Sequence, residues 1–70
     1  MNKHVKLLEA SNGWNSITHQ LHTTDVIVAI YDLSNYMQIE TTVQIKDENT
    51  LLVIFGSPIE DGRYRVVIIG

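Results

Sequence analysis

Three short segments of this 70-residue chain are apolar on both of the faces that a β-strand presents. They read "DVIVAIYDL" (25–33), "TLLVIF" (50–55) and "YRVVII" (64–69). Each is rich in β-branched and aromatic residues and is bounded by turn-forming residues, which favours a strand over a buried helix. Because side chains alternate across a strand, each segment needs apolar cover on two sides. A chain this short has little interior for that, so we expect another molecule to cover some of these faces.

The length allows one domain over residues 1–70. A domain of this size buries only about 60% of the surface of its unfolded chain, so alone it is marginally stable. The sequence contains no cysteine, which removes disulfides and cysteine-based zinc sites as sources of stability. Oligomerisation is the remaining way for so small a domain to gain stability. We therefore expect an oligomer.

The charge pattern argues against two classes of partner. The five basic residues are scattered and the net charge is −3, whereas nucleic-acid and anionic-membrane binders carry clustered basic residues. No stretch approaches the roughly 18 consecutive apolar residues that span a membrane. We expect neither nucleic-acid binding nor membrane insertion.

The segment "YMQIETTVQIK" (36–46) alternates regularly between apolar and polar residues. This pattern predicts one strand with one core-facing side and one solvent-exposed side. Its core face would carry Met37, Ile39, Thr41, Val43 and Ile45.

Turn-forming residues separate the predicted strands. They occur as "SNG" (11–13), "SN" (34–35), "DEN" (47–49) and "GSPIEDG" (56–62), which predicts a series of hairpins. Further strands around "HVKLLE" and "NSITHQL" bring the number to about six. The predicted fold class is all-β, a small antiparallel β-sandwich.

The expected core or oligomer interface consists of apolar residues of these segments, the aromatic residues beside them, and one histidine. Alternation does not decide which strand face lies in the core and which in an interface. The candidates are Trp14, Ile17, His19, Leu21, Val26, Val28, Ile30, Tyr31, Leu52, Ile54, Phe55, Tyr64, Val67 and Ile69.

Several polar residues are of the types that form metal sites or catalytic triads. His4, His19, His22 and Asp25 contain metal-ligand types, but residues 19 and 22 of one strand point to opposite faces. Ser16, with His19 and Asp25, has the residue types of a hydrolytic triad, yet no strained nucleophile turn or oxyanion donors accompany it. We expect no enzymatic activity, no metal and no cofactor.

Two carboxylate pairs, Asp47-Glu48 and Glu60-Asp61, lie in predicted turns and are expected to be solvated. Trp14, beside Asn15 and with Tyr31 nearby, offers residue types suited to stacking on a sugar. Packing in a core or an interface is the commoner role of such a tryptophan.

Several motifs of the chain, in their order and spacing, resemble the sequence pattern of a small β domain. This domain recurs at the C-termini of tailed-bacteriophage fibre and other virion surface proteins. The motifs are "WNSITHQLHTTDVIVAIYD", "DENTLLVIF", "SP" and the closing "YRVVIIG", and the resemblance covers residues 14–70. Two positions depart from the family pattern: Gln20 replaces its usual Asn and His22 its usual Gly. The turn after Leu21 must therefore form without the freedom of a glycine at positive φ.

The resemblance implies a bacteriophage virion structural protein: a capsid decoration, head-fibre or tail-fibre component that is located in the virion. It implies a homotrimer, packed about an axis or intertwined, with other virion proteins such as capsid or fibre as further partners. An alternative is the receptor- or glycan-binding tip of a fibre that contacts a host surface glycan. A third possibility is a small regulatory protein that dimerises by pairing strand edges.

His19 shares a predicted strand face with Ile17 and Leu21 and is therefore expected to be buried. A buried neutral imidazole needs a partner for each ring nitrogen. We expect a backbone carbonyl, Thr23 or a neighbouring subunit to supply them, with Trp14 packed nearby. On this hypothesis His19 organises the turn before "DVIVAIY" and performs no chemistry.

Overall fold

The computed structural model of the protein describes residues 2–70, and this part of the chain contains seven strands and no helix. Met1, the first residue of the predicted domain, lies outside the described residues. The strands are β1 (Lys3–Leu7), β2 (Trp14–Thr18), β3 (Ile27–Asp32), β4 (Met37–Ile39), β5 (Thr42–Ile45), β6 (Thr50–Ile54) and β7 (Tyr64–Ile69).

The strands form two sheets. The four-stranded sheet has the order β1-β7-β3-β4 and the three-stranded sheet the order β2-β6-β5. Every paired strand is antiparallel to its neighbour. The predicted all-β, antiparallel fold is thus confirmed.

Seven strands occur rather than six, because the alternating segment 36–46 does not form one strand. It divides at Glu40 and Thr41: β4 pairs with β3 in one sheet, and β5 pairs with β6 in the other. The Thr41 hydroxyl donates a hydrogen bond to the Ile54 carbonyl at this corner. The predicted core face was also wrong at its two ends, since Met37 and Ile45 are exposed.

Only two of the four predicted turns close a hairpin. The turns at 34–35 and 47–49 join β3 to β4 and β5 to β6, as predicted. The segments at 11–13 and 56–62 instead carry the chain from one sheet to the other, and they run side by side. Ser11 N–H donates to the Ile59 carbonyl at 3.3 Å, and Ile59 N–H donates to the Ser11 carbonyl at 3.1 Å.

Gly13 is the position in these crossings where the backbone requires glycine. Its φ is +110°, and a Cβ there would lie 2.8 Å from the Phe55 carbonyl oxygen. The Gly13 carbonyl accepts a hydrogen bond of 2.7 Å from Phe55 N–H, so the two backbones must approach this closely. Asn12-Gly13 therefore fixes the entry into β2.

The core lies between the two sheets and draws on both. Alternate residues of β3 and β7 point inward, as do alternate residues of β2 and β6, and Leu8, directly after β1, and Ile59, in the 56–62 crossing, complete the core. The buried apolar residues are Leu8, Ile17, Ile30, Leu51, Val53, Ile59, Val66 and Ile68. The structure thereby decides what alternation left open: the even-numbered side chains of β3 and β7 form the core, and the odd-numbered ones face outward.

Candidate interaction surface

The outward face of the four-stranded sheet is largely apolar. In the strand register, Val67 of β7 lies between Val5 of β1 and Ala29 of β3, and Ile69 lies beside Ile27 of β3. Adjacent residues in a register are neighbours on one face, so these side chains form a continuous patch. We call this patch the outer apolar face; it comprises Val5, Leu7, Ile27, Ala29, Val67 and Ile69.

The outer apolar face is accessible to solvent. Ile27 is 73% exposed, Leu7 52% and Val5 47%, whereas the members on the central strand β7 are half-buried by their neighbours. Scattered exposed apolar residues are ordinary, whereas large contiguous apolar patches are typical of surfaces that bind another molecule. This is the strongest candidate for a functional surface in the described residues.

Polar groups border the outer apolar face at both ends. Lys3 lies at one end, beside Ile69, and Arg65 lies at the other, between Leu7 and Tyr31. The Arg65 guanidinium carbon is 5.5 Å from the centre of the Tyr31 ring, a cation–π distance. An apolar centre with a polar border is the usual composition of a protein interface.

The outward face of the three-stranded sheet is different. Trp14, Leu52 and Ile54 lie there, but polar residues stand beside them in the register, among them Ser16 and Gln44. The contiguous apolar patch therefore lies on the four-stranded sheet, while Trp14, Tyr36, Met37 and Ile45 are exposed elsewhere.

The predicted core or interface residues divide among three places. Buried in the core are Ile17, His19 and Ile30, and packed against it are Leu21, Val26, Val28, Phe55 and Tyr64. On the outward face of the four-stranded sheet are Tyr31, Val67 and Ile69. On the outward face of the three-stranded sheet are Trp14, Leu52 and Ile54.

Sequence reasoning missed the three most exposed members of the outer apolar face, Val5, Leu7 and Ile27. A signal was present for two of them, because Val5 and Leu7 alternate with Lys6 and so share one strand face. Ile27 belongs to a segment that is apolar on both sides, where alternation alone could not distinguish inward from outward.

His19 is 4% exposed, which confirms its predicted burial. Its Nδ1 accepts a hydrogen bond of 3.0 Å from Leu21 N–H, so a neutral ring carries its proton on Nε2. The buried Nε2 has no partner among the described residues. The expected contacts with a carbonyl or Thr23 are therefore absent, and Trp14 lies at the other end of β2 on the opposite face.

A loop that follows β2 is held by Asn49. The Asn49 carbonyl accepts hydrogen bonds from the backbone N–H groups of His19 at 2.8 Å and Gln20 at 3.3 Å, and its side-chain Oδ1 accepts from His22 N–H at 3.1 Å. Asn49 N–H in turn donates to Asp47 Oδ1 at 2.8 Å. Gln20 and His22 both have φ of 56°, so the turn adopts left-handed conformations without glycine at either position.

Asp32 is a buried carboxylate at the end of β3. It accepts hydrogen bonds from the Ser34 hydroxyl at 2.6 Å and the Ser34 N–H at 3.0 Å, and from Arg63 Nη2 at 3.2 Å. These hydrogen bonds, first that from the Ser34 hydroxyl and then that from Arg63, lower the pKa of Asp32 from its ordinary 3.8 to about 2. The ion pair of Asp32 and Arg63 joins the β3–β4 turn to the segment before β7, and we assign it a structural role.

The residues considered for catalysis do not converge. Ser16 lies on the outward face of its sheet and His19 on the inward face, and the His19 Nδ1 is occupied by Leu21 N–H. Among residues 2–70, no three histidine, aspartate or glutamate side chains form a group that could hold a metal ion.

None of the described residues form a helix long and apolar enough to cross a membrane. Comparison of the chain with protein families, with curated proteins and with solved structures finds no match in any of the three.

Proposed function

We propose that this chain is a structural component of a bacteriophage virion, a capsid decoration, head-fibre or tail-fibre protein, that acts by assembling into a homotrimer. The observation that carries the proposal is the outer apolar face on the four-stranded sheet. The resemblance of residues 14–70 to the C-terminal domains of phage fibre and virion surface proteins supplies the biological setting and the three-fold symmetry.

Burial of the outer apolar face supports self-association energetically. Fully burying a valine, leucine or isoleucine side chain contributes about 1.5–3 kcal/mol, so completing the burial of Val5, Leu7 and Ile27 contributes roughly 1 kcal/mol from each residue. Val67, Ile69 and Ala29 add smaller amounts because they are already half-buried. A contribution of this size in each subunit offsets the limited core of a short chain.

Packing through the sheet face is favoured over pairing through a strand edge. The backbone groups of Val5 and Leu7 lie on the free side of β1, since the neighbouring residues His4, Lys6 and Leu8 form the hydrogen-bonded pairs with β7. That edge is only five residues long, and Lys3 and Lys6 lie on it. Short, lysine-bearing edges resist pairing with another strand.

A lysine at Ile27 tests the assembly without disturbing the core, because this side chain is already mostly exposed. We expect Ile27→Lys to shift the protein from trimer to monomer, since it places a charge in the shared apolar surface. Thr42→Lys is the matched control: Thr42 is an exposed β-branched residue in a strand of the other sheet. Size-exclusion chromatography with light scattering measures both masses.

If Ile27→Lys and the wild-type chain have the same assembled mass, the proposal that the outer apolar face is the assembly surface is contradicted. The virion location is tested separately, by searching purified phage particles for the chain with mass spectrometry and locating it with labelled antibodies. Absence of the chain from the particles of a phage that encodes it would refute the virion role.

A further inference from the structure

Asn12-Gly13, at the entry into β2, is the one place in the sequence where glycine follows asparagine. The other four asparagines are followed by Lys3, Ser16, Tyr36 and Thr50. The main-chain nitrogen that follows an asparagine can attack the carbon of its side-chain amide and close a succinimide ring. A side chain on the following residue hinders this attack, and glycine has none.

The fold holds the backbone here but leaves the asparagine side chain accessible. Asn12 is exposed to solvent, whereas Gly13 is buried. The Gly13 carbonyl accepts a hydrogen bond of 2.7 Å from Phe55 N–H. Water therefore reaches the Asn12 amide while the nitrogen that would attack it is fixed in position.

A hydrogen bond also orients the Asn12 side chain. Trp14 N–H donates to Asn12 Oδ1 at 3.2 Å. Because Oδ1 is bonded to the amide carbon, this contact directs the side-chain carbonyl toward the backbone that follows Asn12. Negative charge develops on Oδ1 when a nucleophile adds to that carbon, so a donor already placed at this oxygen stabilises the adduct.

The attacking nitrogen has a contact of its own. Gly13 N–H donates to Ser11 Oγ at 3.1 Å. A hydroxyl both accepts and donates hydrogen bonds, so the Ser11 O–H can turn and donate to the Gly13 nitrogen once a base has removed its hydrogen. Ser11 thereby stabilises the negatively charged nitrogen, which is the nucleophile of the reaction.

We propose that Asn12 is a site of spontaneous deamidation and that the fold accelerates the reaction. Hydroxide takes the Gly13 N–H hydrogen, the nitrogen lone pair forms a bond to Asn12 Cγ, and the negative charge moves to Oδ1. The adduct then collapses: the bond from Cγ to the amide nitrogen breaks, and that nitrogen takes a proton from water and leaves as ammonia, which regenerates hydroxide. Water opens the succinimide at either ring carbonyl and gives aspartate or isoaspartate. The net reaction consumes water, releases ammonia and involves no oxidation or reduction.

The two products differ in their fit to the fold. Aspartate keeps the length of the backbone and offers a charged acceptor to Trp14 N–H. Isoaspartate adds a main-chain carbon directly before Gly13, where even a Cβ would lie 2.8 Å from the Phe55 carbonyl oxygen. We therefore expect chains with isoaspartate to melt at a lower temperature than chains with aspartate. The site lies outside the outer apolar face, so the reaction does not depend on the proposed assembly.

Asn35, in the β3–β4 turn, is an internal control. It is exposed, and its Oδ1 accepts a hydrogen bond of 2.9 Å from Met37 N–H, so its side chain makes the same kind of contact as that of Asn12. The residue that follows is Tyr36, whose N–H donates to the Asp32 carbonyl at 2.7 Å. Asn35 thus has the oriented carbonyl but neither the glycine nor the hydroxyl.

The experiment follows deamidation in the full chain at neutral pH, folded in buffer and unfolded in urea. Mass spectrometry of digested samples measures aspartate and isoaspartate at each asparagine over time. We expect Asn12 to react at least about threefold faster in the folded chain than in the unfolded one, because the two contacts exist only in the fold. In the folded chain Asn35 should react at least about tenfold more slowly than Asn12.

Two serine variants assign the acceleration. Ser11→Ala should slow the reaction of Asn12 at least about twofold in the folded chain and leave the rate in urea unchanged. Ser16→Ala is the matched control, since Ser16 is an exposed serine of β2. It should leave both rates as in the wild-type chain.

The proposal is overturned if Asn12 in the wild-type chain reacts no faster when folded than when unfolded. This comparison requires no variant. It is also overturned if Ser11→Ala, shown by circular dichroism to be folded, reacts at the wild-type rate.

Discussion

Replacing His19 by alanine tests the account of the buried turn most sharply. The imidazole is almost fully buried, and its Nδ1 is the acceptor for Leu21 N–H. Alanine removes the ring and leaves a cavity, and it deprives Leu21 N–H of its partner. It also removes the Nε2 hydrogen, which has no partner in the described structure.

The three effects can be weighed against one another. The cavity costs on the order of 2 kcal/mol, as for other large-to-small changes in a core. Loss of the Leu21 hydrogen bond costs about 1 kcal/mol, and loss of the unpaired Nε2 hydrogen recovers about 1 kcal/mol. We therefore expect His19→Ala to lower the free energy of unfolding by about 2 kcal/mol.

Two companion variants separate these contributions. His19→Phe keeps a ring of similar volume, so no cavity forms, but it has neither nitrogen. Loss of the Leu21 hydrogen bond and removal of the unpaired Nε2 hydrogen then nearly cancel. We therefore expect the free energy of unfolding to change by no more than about 1 kcal/mol. His22→Ala is the control, because His22 is exposed and its side chain makes no hydrogen bond among the described residues. We expect it to change stability by no more than about 0.5 kcal/mol.

Urea unfolding followed by Trp14 fluorescence measures these free energies. The series belongs in the Ile27→Lys background, so that unfolding is not coupled to assembly and does not depend on protein concentration. A change below about 0.5 kcal/mol for His19→Ala, or a larger loss for His22→Ala than for His19→Ala, would refute the role assigned to the buried imidazole.

Two further predictions concern the strained turn and the buried carboxylate. His22→Gly should raise the free energy of unfolding by about 0.5–1 kcal/mol in urea unfolding, because glycine relieves the left-handed conformation at a partial entropic cost, and a loss of stability would contradict that strain. Asp32 has a pKa of about 2 in the folded chain against an ordinary 3.8, so its stabilising effect is complete above pH 3.8 and is lost as the pH falls toward 2. The difference in melting temperature between the wild-type chain and Asp32→Asn should therefore shrink between pH 4 and pH 2, and a constant difference would argue against the lowered pKa.

The strands themselves were largely predictable from local pattern. The segments that contain β3, β6 and β7 are apolar and β-branched and lie between turn residues, and each forms a strand near its predicted position. The division of 36–46 into two strands was not predictable, because alternation continues unbroken through Glu40 and Thr41 while the chain changes sheet. A corner of this kind depends on pairing with distant strands, which a local pattern does not contain.

The candidate surface was predictable only in outline. The two-sided apolar strands predicted that some apolar faces would lie outside the core, but which faces do so depends on how the sheets stack. The ion pair of Asp32 and Arg63 joins residues 31 positions apart, and the hydrogen bonds of Asn49 to the loop after β2 span a similar distance along the chain. No spacing in the sequence identifies such partners.

Sedimentation equilibrium of the wild-type chain, over a wide range of protein concentration, tests the central claim most directly. If the outer apolar face is an assembly surface, the chain should sediment as a single species with three times its mass of 8.0 kDa. The trimer should dissociate only at low concentration. A compact monomer that remains stable and soluble at micromolar concentration and above would contradict the account.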